Sequence, residues 1–201
     1  MVNLIRRDVI LQKKYLLTYI PFIVFFIIME SHPALTFLVA SIFIPFNAFA
    51  YDEKAETNIL LNSLPYTRKE IIAARYLGAI VYMVLAIGLT SLALLAFGEP
   101  FTMKDIAIGN SLFLLFAALT FPLFYILKSG HTFTVVLLSF LILAGIGPQI
   151  VIFLAERLTA ITDFIARFSV STLYTGAGVI VMVIYALSWG FTAFIYQRKA
   201  F

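Results

Sequence analysis

Catalysis needs a nucleophile, a base or a metal ligand, and this chain has few of them, widely scattered. His32 and His131 are the only histidines among 201 residues, and there is no cysteine. That removes thiolate nucleophiles, disulfides, Cys–zinc sites and iron–sulfur ligation. Serines and threonines are plentiful, but no histidine or lysine stands near them within an apolar run to serve as activating base. Three apolar segments separate the two histidines. They therefore belong at opposite ends of a membrane bundle and cannot share a metal or a proton; both are expected to be interfacial polar residues. No Gly-x-x-x-x-Gly-Lys-Ser/Thr occurs, so the chain has no P-loop to cradle a nucleotide's phosphates. Gly176-Ala177-Gly178 has no lysine after it; its expected role is small-residue helix packing. No Asp, Glu, Lys or Arg lies deep in an apolar segment, whereas a proton-coupled carrier usually needs a buried carboxylate or histidine there. Sodium-coupled carriers can use carbonyls of broken helices instead, which keeps a secondary carrier as the alternative reading.

The elements that carry these residues are set by composition. The chain is 63% hydrophobic and 12% charged, with mean hydropathy +1.05. A soluble domain is about 45–50% apolar and about 25% charged. Such a chain cannot cover itself with polar groups and belongs in a bilayer. Six apolar segments follow one another: Tyr15–Met29, Pro33–Tyr51, Ile71–Phe97, Ile106–Leu127, Thr132–Leu154 and Leu173–Tyr196. A span needs about 20 residues. Most qualify; the first is short. Ala48-Phe49-Ala50 resembles a signal-peptide cleavage site, but two apolar runs split by Glu30-Ser31-His32-Pro33 precede it, where a signal peptide has one. The expectation is an all-α integral membrane protein, residues 1–201 forming one transmembrane domain.

Charge sets the orientation. Net charge is +4 and the pI about 9.3. The cations sit at the ends of apolar runs rather than on one soluble face, so they are not a nucleic-acid footprint. With the N-terminus inside, the inner set is Arg6, Arg7, Lys13, Lys14, Lys54, Arg68, Lys69, Arg75, Lys128, Arg198 and Lys199; the outer set is Lys104, Arg157 and Arg167. Eleven against three follows the positive-inside rule and requires an even number of spans. Six spans with both termini cytoplasmic, in the plasma membrane, is the expected topology. Thr67-Arg68-Lys69-Glu70 fits a capping box at the start of the third span, and Thr102-Met103-Lys104-Asp105 is a weaker copy before the fourth. The fifth segment carries Gly145, Gly147 and Pro148, which should break it, because proline removes an amide and clashes with the preceding turn. Residues 147–168 then continue apolar with Glu156, Arg157, Asp163 and Arg167 interspersed. A broken helix followed by outer re-entrant pieces is the expectation, with a simple kink and a surface helix as the alternative.

The longest cytoplasmic connection, Asp52 to Arg75, holds most of the functional information. It opens acidic, with Asp52, Glu53 and Glu56. It then presents Ile59, Leu60, Leu61 and Leu64 before Pro65. Acid at a helix start suits the dipole, so a short helix over 53–64 is expected. Its four apolar residues require cover from lipid or from a partner protein.

This loop resembles that of bacterial ABC-2-type transporter permeases, in which an acidic stretch and a short helix precede Leu-Pro-x-Thr/Ser-Arg-x-x-Ile/Val-x-x-Ala-Arg/Lys-Tyr. Here the run Leu64-Pro65-Tyr66-Thr67-Arg68-Lys69-Glu70-Ile71-Ile72-Ala73-Ala74-Arg75-Tyr76 matches it. Chain length, six spans and a broken fifth segment also agree with the small permeases of bacitracin-resistance, lantibiotic-immunity and phenol-soluble-modulin exporters. The resemblance implies the ABC-2 (type V exporter) fold. It makes 53–64 a coupling helix that docks on a separate ABC ATPase, with Asp52, Glu53, Glu56, Ile59, Leu60, Leu61, Leu64 and Arg68 as docking residues. Residues 3–14 would be an interfacial helix. Val2, Ile5, Val9 and Leu16 share a face there, while Leu4, Ile10 and Leu11 depart from it. Two six-span subunits, identical or sister, would pair in membrane lipid around a path for amphipathic peptides, antibiotics or lipid-like compounds. The chain itself would bind no cofactor and have no catalytic residue; ATP and Mg²⁺ would be held by the ATPase.

Overall fold

A computed structural model describes residues 10, 16–54, 66–127, 131–146, 149, 152–153, 156 and 169–198. All regular structure among them is helical. The helices are α1 (Leu16–Ile28), α2 (Pro33–Lys54), α3 (Arg68–Phe97), α4 (Met103–Ile126), α5 (Thr132–Leu141) and α6 (Val170–Arg198). They correspond one to one with the six apolar segments. Three stretches are long and apolar enough to cross a membrane: Arg68–Phe97, Met103–Ile126 and Ser171–Arg198. The apolar parts of α1 and α2, Tyr19–Ile28 and Pro33–Ala48, are shorter. At 30 residues, α3 is about 45 Å long, more than the hydrocarbon core of about 30 Å.

The ends of these helices are built by local chemistry. At the start of α3, Thr67 Oγ1 accepts from Glu70 N at 3.3 Å and Glu70 Oε2 accepts from Thr67 N at 2.8 Å. The start of α4 repeats this reciprocal box in full. Asp105 N donates to Thr102 Oγ1 at 3.4 Å, and Thr102 N donates to Asp105 Oδ2 at 2.7 Å. The sequence marks that second box as the weaker, yet the two are equivalent, because a carboxylate one methylene shorter still reaches the N-cap amide. Gly98 ends α3 in the left-handed region at φ 74°, and Glu99 N returns to Leu94 O; glycine meets this demand without a Cβ clash. Glu30 takes the same role after α1 at φ 51°.

Pro21, Pro45 and Pro122 lie inside α1, α2 and α4. Each removes an amide and orphans a carbonyl one turn back. Such prolines are tolerated in membrane helices when neighbours satisfy the freed group.

Helix α4 is central, packing against α2 on one side and α6 on the other, with α3 touching both of those partners. One buried cluster joins α3, α4 and α6 through Ile72, Tyr76, Phe113, Ala117, Phe121 and Tyr185. A second joins α1, α2 and α3 through Tyr19, Ile23, Phe37, Ile44, Ala86 and Leu94. In lipid the hydrophobic effect does not drive such association; close packing and polar contacts do. The tightest crossing is at Gly109 of α4. A Cβ there would stand 2.5 Å from Ala34 O and 2.8 Å from Phe37 Cβ of α2. One residue on, the buried Asn110 Oδ1 accepts from Ser41 Oγ of α2 at 3.1 Å.

One sequence expectation changes within the chain, and another is met only as far as the described residues reach. Gly176 and Gly178 were expected to pack helices, but a Cβ at either meets nothing within 4 Å. They sit on an open stretch of α6, and Gly109, on the helix with the most neighbours, makes the close approach instead. The fifth segment does depart from regular α geometry. It converts at Ile142–Ile146 to a π-helical turn containing Gly145, a local widening of the helix. Gly147, Pro148 and nearly all of the expected re-entrant region at 147–168 lie outside the described residues.

Candidate functional site

The residues that close the loop motif converge on the junction of α3, α4 and α6. Arg68 is the first residue of α3, immediately after the Thr67 cap. Its Nη1 donates to Gln197 O at 2.8 Å and lies 3.5 Å from Tyr196 O. These are final-turn carbonyls of α6, which have no intrahelical partner. A guanidinium there satisfies them and complements the negative end of the helix dipole.

Two turns further in, the Arg75 guanidinium donates to the Tyr125 hydroxyl of α4. The Tyr125 ring meets Tyr196 edge-on, centroids 5.1 Å apart. Arg68 and Arg75, seven residues apart on one helix, thus bind the ends of α6 and α4.

Tyr76 is fully buried. Its hydroxyl lies 2.7 Å from Thr192 Oγ1 and 2.8 Å from Ser188 Oγ. Ser188 Oγ in turn donates to the carbonyl of Ala118 at 2.5 Å. That carbonyl would accept from residue 122 in an unbroken helix, but residue 122 is proline and has no N–H. Each hydroxyl has one proton, so the direction of the chain follows. Ser188 spends its proton on Ala118, so it accepts from Tyr76; Tyr76 then accepts from Thr192. The relay Thr192→Tyr76→Ser188→Ala118 O links α6, α3, α6 and α4 in one line. Tyr185 Oη adds a bond to Tyr76 O at 2.9 Å. The single tryptophan, Trp189, stacks on Tyr76 at 6.1 Å and 14°.

The described side chains of this site are two guanidinium groups and a set of hydroxyls. It holds one cation at each of two helix ends and a closed set of neutral hydroxyls, which makes it a mechanical tie. Among the described residues no group of three or more His, Cys, Asp or Glu could hold a metal. His32 caps α2, Nδ1 accepting from Ala34 N at 3.2 Å, with Asp105 Oδ1 3.9 Å away. His131 precedes α5 and is exposed.

On the far half of the bundle, α3, α4 and α6 leave a lateral groove of about 700 Å³, walled by Ile87, Ile106, Leu114, Val179 and Met182. Its few polar groups include Asn110, Ser111 and Thr175.

The residues singled out for docking fall as follows. Asp52 and Glu53 belong to the last turn of α2, which runs through Lys54. Arg68 is at the α3–α6 junction, engaged with α6. Glu56, Ile59, Leu60, Leu61 and Leu64 lie outside the described residues, as does residues 3–14 apart from Ile10, which is helical and 62% exposed. Sequence reasoning included Tyr76 in the motif but gave no site role to it or to Ser188, Thr192 and Pro122. A signal existed for three of them. Ser188 and Thr192 are four apart, hence on one helical face of an otherwise apolar segment, and Pro122 announces an orphaned carbonyl.

Comparison with known proteins yields one finding. The family model described as ABC-2 family transporter protein matches residues 3–197. No curated protein and no solved structure matches. The match covers nearly the whole chain, including the loop motif and every helix of the tie; this membrane protein therefore belongs to the ABC-2 family of transporters.

Proposed function

We propose that the chain is the permease subunit of an ATP-driven exporter, powered by a separate ABC ATPase. The observation that supports this best is the tie itself. The motif following the Asp52–Pro65 connection anchors α3 to the end of α6 through Arg68 and to α4 through Arg75 and the Tyr76 relay. A push on the loop is thereby passed to three helices at once, as a subunit without its own engine requires. On this reading six helices span the plasma membrane with both termini cytoplasmic. Two copies, or one copy and a sister permease, frame the path. Amphipathic or hydrophobic compounds are the cargo, and ATP and Mg²⁺ bind to the ATPase.

The apolar residues of the loop would meet the ATPase. Replacing Leu60 or Leu61 with Asp puts a charge into that contact. Co-expressed with the P-loop ATPase of the same operon, the parent chain should copurify with it and yield ATP hydrolysis. Leu60→Asp should insert in the membrane normally and lose the ATPase. No ATPase with the parent chain sinks the exporter reading in favour of a secondary carrier. Undiminished assembly of Leu60→Asp removes the coupling role of the loop.

A further inference from the structure

We infer that the C-terminal half of α6 is a seat for one anionic phospholipid. The observations are independent of the transport reading. Leu187, Phe191 and Phe194 are 68%, 55% and 51% exposed. At 100° per residue they share one face of α6 with Arg198. The Arg198 guanidinium lies 4.1 Å above the Phe194 ring. An apolar stripe thus ends in a cation held in place by an aromatic platform. From Leu187 to Arg198 the helix rises about 16 Å at 1.5 Å per residue. That is about half of the 30 Å hydrocarbon core, the depth of one leaflet. The stripe is as long as an acyl chain, and its cation stands where the phosphate would be.

Charge selects the headgroup. A helix C-terminus normally repels anions through its free carbonyls. Here Arg68 covers the carbonyl of Gln197, so the end of α6 presents positive charge. Lys69 is exposed beside it, and the sequence continues with Lys199. Glu70, two residues after Arg68, is turned onto the amide and hydroxyl of Thr67. The other end of α6, Ser169–Gly178, carries no charge at all. A zwitterionic lipid would fit the stripe equally but gain nothing from the cations. A phosphatidylglycerol-like lipid gains from both.

Native mass spectrometry of the full chain, released from micelles containing equal phosphatidylglycerol and phosphatidylcholine of matched chains, tests this. The parent chain should retain the anionic lipid preferentially. Arg198→Gln should lower that preference about fivefold, the contribution of one cation near the surface. Arg198→Lys should keep it. Lys104→Gln, which removes an exposed cation from the α3–α4 end, should leave it unchanged. Leu187→Ser with Phe191→Ser, which leaves the Phe194 platform under Arg198 intact, should lower retention of both lipids and preserve their ratio. High salt on the unmodified chain should collapse the preference without any substitution. An unchanged ratio in Arg198→Gln, an equal loss in Lys104→Gln, or a preference that survives high salt overturns the proposal.

Discussion

At the scale of single residues, the most consequential pairing is between Pro122 and Ser188. The proline deprives Ala118 of its donor, and a serine from another helix supplies one. This pairing makes a thermodynamic-cycle prediction. Ser188→Ala should cost about 1 kcal/mol, the usual worth of a hydrogen bond lost within a membrane bundle. In a Pro122→Ala background the backbone amide returns to Ala118, so the same change should cost under about 0.5 kcal/mol. Unfolding in detergent, followed by the fluorescence of Trp189 beside Tyr76, measures both. Equal costs in the two backgrounds would refute the assignment of Ser188 as the replacement donor. Half of this was legible beforehand. A proline inside an apolar run states that a carbonyl is orphaned; nothing in the sequence says which of many hydroxyls reaches it.

At the scale of elements, local rules and tertiary contact divide cleanly. Both capping boxes and the Gly98 stop are written in adjacent residues, and each forms in the structure as the spacing demands. In the fifth segment the described part reaches only Gly145, which lies in the π-helical turn; Gly147 and Pro148, on which the expected break rests, lie outside the described residues. Helix crossings obey no such local grammar. Gly176-Ala177-Gly178 has the small-residue signature and packs against nothing described, while Gly109, alone in its neighbourhood, admits the α2 backbone. Gly109→Ala should destabilise the bundle by about 1–3 kcal/mol, the range for overpacking, because its nearest neighbour is a backbone oxygen that cannot rotate away. Gly178→Ala, with open space around it, should be neutral. Thermal unfolding of the two variants side by side checks the contrast. A neutral Gly109→Ala would mean that α2 and α4 do not cross there.

For the whole molecule, the lack of a P-loop motif in the sequence and the tie belong together. A chain without a nucleotide site can still do transport work if a force applied at its surface reaches its spans. Here three helix ends are fastened by the residues of one motif. The natural absence of cysteine makes the topology directly testable. A single cysteine at Lys104 should react with a membrane-impermeant maleimide added outside intact cells. One at Lys69 should react only after permeabilisation. The reverse pattern would invert the positive-inside assignment on which the cytoplasmic placement of the loop depends.

The sequence by itself determined the membrane class, the all-helical architecture, the six segments, their caps and the family. These follow from hydrophobicity, charge placement and short-range spacing, all of which act over a few turns. It also marked the motif around Arg68 as important, through resemblance. Only the tertiary structure decided what the motif holds. Arg68 reaches a residue 129 positions away, and Tyr76 finds hydroxyls 112 and 116 positions away. In lipid, where burial costs an apolar side chain nothing and rewards it little, partner choice rests on shape and on orphaned polar groups. Those are properties of neighbouring helices in three dimensions, so no reading along one strand of sequence contains them.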